Sequence, residues 1–349
     1  MQLRFWRCDL KLARVWTIAR DLKSGGSKVC GVVLVQLTDN DGVTGLGESA
    51  PIERYHENVE TVQQFLGRID AQRLSFDDIP GSMAHLDTVA AGNNAAKCAV
   101  NIALLDGAAR RAGKPVYDFL RLGFREQKHV TSFSIGIDSP EVVAQKVREA
   151  EAYPVLKLKL GSPQDRENLA ALRSVAPTKT VRVDGNEAWR TKEEALKQLE
   201  WIASDKHIEF IEQPMPSSSA REDLKWLKER SPLPLMADES CHSVNDIPLC
   251  AECFHAINVK LVKTAGISGA HDTLQAARQA GLKTMIGCMI ETSVLITAAA
   301  HLAELTDYLD IDGNLLITND PYLGATAEKG MVSFKDAKET VGLRVSARK

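Results

Sequence analysis

The chain has 349 residues, 44% of them hydrophobic and 26% charged, with a formal net charge of −3. That length predicts one large and one smaller domain, and the near-neutral charge gives no footing for nucleic acid or an anionic membrane. No apolar run reaches membrane-spanning length, Met1 to Leu10 holds no signal-peptide core, and the seven cysteines form no disulfide framework, so a reducing cytoplasm is expected.

From the N-terminus, residues 3–12 and 29–37 alternate apolar and polar, and the turn Asp39-Asn40-Asp41-Gly42 leads into residues 43–48. This predicts an antiparallel meander. Between its first two strands lies the polar, basic stretch from Arg20 to Lys28, with Gly25 and Gly26. It reads equally as a solvated hairpin loop and as a mobile lid that carries Arg20, Lys23 or Lys28 onto an anionic substrate. Residues 58–69 and 94–112 have helical spacing, which completes a small α+β domain over 1–125.

Beyond residue 126 strand-like runs recur roughly every 22 to 28 residues, each pair separated by a helical pattern. They are 132–137, 155–160, 180–184, 208–212, 235–238, 257–260, 283–287 and 308–312. Eight such runs without a GxGxxG after the first predict a closed β/α barrel rather than a dinucleotide-binding sheet. The barrel is expected to end near residue 319, with 320–349 returning to the first domain and 330–334 pairing there. Cys250-x-x-Cys253, near Cys241, His242 and His255, has no second CxxC partner and sits in a helical-looking run. Buried helix cysteines are expected rather than zinc.

The second run, Val155-Leu156-Lys157-Leu158-Lys159-Leu160, sends its leucines one way and both lysines the other. Helices flank it, so both faces are enclosed, and two enclosed lysines need partners or a task. The following runs end in Asp184, Glu212, Asp238 and Lys260. In a barrel these C-terminal ends meet at one mouth. Three adjacent carboxylates repel one another unless a cation joins them, and oxygen-only ligation points to Mg2+, or Mn2+ in its place, over Zn2+. Asn186 and Glu239 are placed to support these groups. Lys159 and Lys260, four strands apart in an eight-strand ring, are expected to face each other across the mouth with lowered pKa values. A metal that stabilises an enediolate, with an acid or base on each side of the carbon, performs 1,1-proton transfer; a leaving group would turn the same site to elimination or cycloisomerisation.

Lys157-x-Lys159, Asp184-x-Asn186, Glu212-Gln213-Pro214, Ala237-Asp238-Glu239-Ser240 and Lys260-x-x-Lys263 together resemble the enolase superfamily, muconate-lactonising subgroup. Gly45-x-Gly47-Glu48 and Ala95-Ala96-Lys97 extend the resemblance into the first domain. It implies a capping domain on a (β/α)7β barrel, Mg2+ on Asp184, Glu212 and Asp238, Lys159 and Lys260 as acid/base pair, and Lys157 assisting at the carboxylate. Asp310-x-Asp312 is similar to the pair with which dipeptide epimerases take the substrate's α-ammonium, and Gly287 to Thr292, with Cys288 and Met289, resembles their seventh-strand loop. Ser134 joins these as a substrate contact. The chain departs from the pattern at Gly185, where alanine is usual, and at Ala265-Gly266, where two glycines are usual. The resemblance implies an isomerase for a small-molecule dipeptide, L-Ala-D/L-Glu from cell-wall peptide turnover in the first instance, with homo-oligomer formation open. The competing readings are a dipeptide with an apolar second residue, o-succinylbenzoate synthase and muconate cycloisomerase.

Overall fold

The computed structural model describes residues 1–349. It begins with three antiparallel strands in the order β1 (Gln2–Trp16), β2 (Ser27–Thr38), β3 (Thr44–Ser49). Four helices follow: α1 (Val59–Leu66), α2 (Ile79–Val89), α3 (Asn94–Arg111) and α4 (Val116–Phe119). Helix α1 starts where the Asn58 side chain accepts from Thr61 N while Thr61 Oγ1 accepts from Asn58 N, a reciprocal cap that satisfies two orphan donors. Helix α3 is buried along nearly its whole length. Small residues make that possible: a Cβ on Gly45 or Gly47 would collide with the carbonyl oxygens of Ala103 and Ala99, so β3 lies directly on the α3 backbone. On its other side Asn94 Nδ2 donates to Lys263 O and Asn101 Nδ2 to Ser268 Oγ, fixing α3 to the barrel.

The barrel strands are β4 (Phe133–Ile135), β5 (Val155–Lys159), β6 (Thr180–Asp184), β7 (Ile208–Glu212), β8 (Leu235–Ala237), β9 (Ala256–Lys260), β10 (Lys283–Gly287) and β11 (Tyr308–Asp310). All pair in parallel in sequence order, and a bridge between Thr131 and Leu309 brings the last strand round to the first. Seven helices cover them: α5 (Pro140–Glu149), α6 (Asp165–Val175), α7 (Lys192–Ile202), α8 (Arg221–Arg230), α9 (Ile247–Cys253), α10 (Ile267–Gln279) and α11 (Ser293–Ala300). No eighth helix follows β11, so the fold is (β/α)7β. Because side chains alternate along each strand, Phe210, Met236, Ala256 and Met285 pack as a floor inside the barrel while Glu212, Asp238 and Lys260 stand nearer its mouth. Cys250 and Cys253 are buried in α9.

The C-terminal segment forms β12 (Tyr322–Leu323), β13 (Thr326–Glu328), β14 (Met331–Ser333) and β15 (Ser346–Ala347). The expected pairing of 330–334 with the first domain is corrected: β14 pairs with β13, and Met331 bridges to Val130 at the barrel's entry. Contact with the N-terminal sheet comes instead from Ile317, bridged to Leu12, and from Asn319, whose Oδ1 accepts from Lys11 N. No helix is long and apolar enough to cross a membrane.

Candidate active site

Lys159, Asp184 and Glu212 are register partners across β5, β6 and β7, and Lys260, Gly287 and Asp310 across β9, β10 and β11. The parallel ladder therefore sets the charged strand ends at comparable heights round the mouth. A carboxylate oxygen from each of Asp184, Glu212 and Asp238 lies within 4.8 Å of the others, and all three residues are buried. Lys159 Nζ donates to Asp184 Oδ2 at 2.6 Å on one side of this cluster, and Lys260 Nζ to Asp238 Oδ2 at 2.8 Å on the other. Both lysines line the same cavity of about 690 Å³, together with Lys157, Ser134, Asn186, Cys288, Met289, Asp310 and Asp312.

Lys157 is 1% exposed and sits between the two halves of the site. Its ammonium donates to Asp310 Oδ2 at 2.7 Å and stands 3.1 Å from Asp184 Oδ2. It also lies 2.7 Å from Glu212 Oε2, but at an angle that leaves this oxygen without a hydrogen bond. Burial pushes the Glu212 carboxyl up to about 8, with the charge of Asp184 adding to it. A buried carboxylate with one oxygen short of a donor, flanked by two more of its kind, is a donor set that fits a hard divalent cation. The chain's own lysines compensate for part of that charge. Burial lowers Lys260, but Asp238 outweighs it and holds Lys260 above the ordinary lysine range; Asp310 and Glu212 do the same for Lys157. The lowered lysine values expected for the acid/base pair belong to the site with a divalent cation bound, where the cation takes up the carboxylate charge that holds Lys260 up here.

Across the cavity, Ser132 Oγ donates to Asp310 at 2.6 Å and Ser134 N to Asp312 Oδ2 at 2.6 Å, while Ser134 Oγ and Cys288 Sγ approach Asp312 Oδ1. Asp310 is held below the usual carboxylate range, where burial is outweighed by Lys157. Asp312 goes the other way: burial and then the neighbouring Asp310 push it up to about 7.

Among the lid candidates, Arg20 turns inward at the short 3-10 turn Ala19–Asp21 and lines the cavity. Lys23 and Lys28 are exposed and do not line it, a correction to their expected role: the turn that aims Arg20 at the mouth leaves them in solvent. Several further supports lay outside the motif reading. Asn258, two residues before Lys260 and hence on the same inward face, donates to Glu212 Oε1 at 2.8 Å. Gly287 makes room for it, since a Cβ there would meet Asn258 Oδ1. Lys263 donates to Asp238 Oδ1 at 2.7 Å, and Arg54 grips Glu187 through two bonds of 2.9 Å. Of these, Lys263 stood in the quoted Lys260-x-x-Lys263 motif without an assigned role, and Asn258 had its alternation with Lys260 as a signal.

Residues 17–121 match the N-terminal domain of the mandelate racemase / muconate lactonizing enzyme family, and residues 141–336 match the enolase C-terminal domain-like family. An L-Ala-D/L-amino acid epimerase of Pedosphaera parvula is 62% identical over the full length of both chains. An L-Ala-D/L-Glu epimerase of Bacteroides thetaiotaomicron is 36% identical over 96% of this chain and 86% of its own. Among solved structures, a dipeptide epimerase from Cytophaga hutchinsonii complexed with Mg and D-Ala-L-Val superposes with a TM-score of 0.90 at 29% identity, covering 99% of this chain and 95% of that one.

Proposed function

Because this chain belongs to the enolase superfamily, in its mandelate racemase/muconate lactonizing group, and is an isomerase of the racemase and epimerase kind, we propose that it is a Mg2+-dependent dipeptide epimerase. The observation that carries the reading is the placement of two lysines, Lys159 and Lys260, on opposite flanks of one carboxylate triad in one cavity that also holds Asp310 and Asp312.

A Mg2+ held by Asp184, Glu212 and Asp238 supplies positive charge for the substrate's carboxylate and for the negative charge that develops when the α-proton leaves. The chain's residues do the rest. Asp310 and Asp312 take the α-ammonium, a three-donor cation that suits a pair of carboxylates. Lys157 adds a cation between that pair and the triad. One of Lys159 and Lys260, as the neutral amine, removes the α-proton of the second residue and becomes an ammonium. The other, already an ammonium, returns a proton to the opposite side of the carbon and becomes the amine. The two directions of epimerisation exchange the two roles.

The name of the Pedosphaera relative supports L-alanine followed by a range of second residues, with L-Ala-D/L-Glu of murein peptide metabolism as one member of that range. An o-succinylbenzoate synthase or cycloisomerase reading uses the same triad but leaves Asp312 without a cation, since the chain's own Lys157 pairs with Asp310 alone of the two. Incubation of the Mg2+-loaded enzyme with L-Ala-L-X dipeptides in D2O tests the proposal. Deuterium should enter the second residue's α-position, and Lys159→Ala and Lys260→Ala should each abolish epimerisation. Failure of every dipeptide to exchange would overturn the reading.

A further inference from the structure

The strands that carry the carboxylate triad end in loops that one turn of the first domain holds together. The 3-10 turn Glu53–Tyr55, between β3 and α1, brings Arg54 to the loops after β6 and β7. Arg54 Nε and Nη2 each donate to a different oxygen of Glu187 at 2.9 Å, and Nη2 also donates to Ser217 Oγ at 3.0 Å. Ser217 N donates to Glu187 Oε1 at 2.8 Å, so the two loops share one guanidinium. The next residue of the turn, Tyr55, meets the loop after β8. Its ring stands edge-on to His242, centroids 4.8 Å apart, and His242 Nε2 is hydrogen-bonded to Glu239 O at 2.9 Å.

The backbone that carries Glu187 is held against its own preference. Asn186 has φ 42° and Glu187 φ 66°, and Gln213, directly after Glu212, has φ 34°. Left-handed non-glycine residues persist only where their surroundings fix them. This pair serves Asp184: Asn186 N donates to Asp184 Oδ1 at 2.9 Å, while Lys159 occupies Oδ2. Glu187 N donates to Gln213 O at 2.9 Å, and Gln213 Oε1 accepts from Asp238 N at 2.9 Å, which makes the three loops one unit. The Glu187 side chain is 8% exposed, and without Arg54 its remaining cation would be Arg20, at 3.4 Å. A buried carboxylate so poorly paired is costly. By turning out to solvent it would release the left-handed pair, and the Asn186 donor with it.

We propose that Arg54 is a positioning residue for the metal: through the Glu187 side chain it fixes the loop whose Asn186 N–H orients Asp184. The role rests on the Mg2+ reading of the triad above and goes beyond it, since neither Arg54 nor Glu187 hydrogen-bonds to a triad carboxylate. By linkage, a bound cation in turn tightens the hold of the first domain on the barrel mouth.

The test is the Kd of Mg2+ for the metal-free full chain, without dipeptide, from calorimetric titration of wild type, Arg54→Met, Arg54→Lys and Glu187→Gln. Charge alone gives opposite signs for Arg54→Met and Glu187→Gln, because losing a cation tightens a dication and losing an anion loosens it. Positioning predicts that both weaken Mg2+, each by about 10-fold or more. Arg54→Lys keeps the charge but not the fork, so its Kd should fall between those of wild type and Arg54→Met. The double variant of Arg54→Met with Glu187→Gln should be no weaker than Arg54→Met alone, because both changes break one link. An unchanged or tighter Kd in Arg54→Met overturns the proposal, as does full additivity in the double variant. If Arg54→Met loses its cooperative urea transition, Arg54→Lys decides, and a wild-type Kd there overturns the proposal. A wild type that takes up no Mg2+ overturns the metal reading itself, and the role of Arg54 with it.

Discussion

Asp310 and Asp312 show how two like residues on one strand end acquire different tasks. Lys157 keeps Asp310 ionised, whereas Asp312 has Ser134, a distant thiol and a weaker pull from Lys157 against its burial and against the charge of Asp310. Its carboxyl, pushed up to about 7, is neutral below that pH and charged above it. An α-ammonium binds the charged form, so kcat/KM for a dipeptide should fall as pH drops from 8 to 6. Asp312→Asn should lower kcat/KM by about 10-fold or more at pH 8 and flatten that limb. An acid limb that survives unchanged in Asp312→Asn would assign it to another group. At this scale the sequence was most informative where a charge ends a buried strand, as with Lys159, Asp184, Glu212 and Lys260. It was silent on Glu187 and Arg54, whose pairing spans 133 residues and depends on a left-handed loop that no local pattern announces.

The barrel strands were the easiest elements to read. The bounds of β6, β7 and β10 coincide with the predicted runs 180–184, 208–212 and 283–287, because a parallel strand buried on both faces is a short apolar run with helical patterns on either side. Strand β14 was assigned the wrong partner since a short stretch with a glycine carries no information on register. The connection from β9 to α10 is a third case. Ala265 has φ 58° and Gly266 φ 112°, so the two-glycine pattern of related chains answers a left-handed turn, and this chain fills half of it with alanine. Position 266 allows no substitute, as a Cβ would strike Asn101. Ala265→Gly relieves a left-handed penalty of about 1–2 kcal/mol and adds about 1 kcal/mol of unfolded-chain freedom. The net expectation is a gain of about 0.5 kcal/mol, read as a higher urea midpoint at unchanged slope. Ala265→Val, with a branched Cβ in the same turn, should lower the midpoint.

Over the whole molecule, the N-terminal sheet and the barrel are joined by a buried acid. Glu48, at the end of β3, is fully buried and accepts from Thr292 N at 2.8 Å, from Thr292 Oγ1 and from Leu295 N at 3.1 Å. A side chain from the sheet thus caps α11, and the loop before that helix contributes Cys288 and Met289 to the cavity. Burial outweighs these donors and pushes the Glu48 carboxyl up to about 7. The folded chain therefore binds a proton here that the unfolded chain, with an ordinary glutamate, has released by about pH 5. The stability this provides is complete below the unfolded value and is lost as pH rises through about 7. For this one residue the difference is on the order of 3 kcal/mol between pH 4.5 and pH 8. Glu48→Gln keeps the shape and removes the proton, so its urea midpoint should vary less across that window, with the variant overtaking wild type at the alkaline end. Buried Glu291, raised by burial and by the charge of Glu48, shifts in the same sense, which makes the comparison between the two proteins the decisive one. Parallel pH dependence in wild type and Glu48→Gln would mean that the three donors hold Glu48 ionised throughout, and that the sheet and the barrel are joined by a charged cap instead.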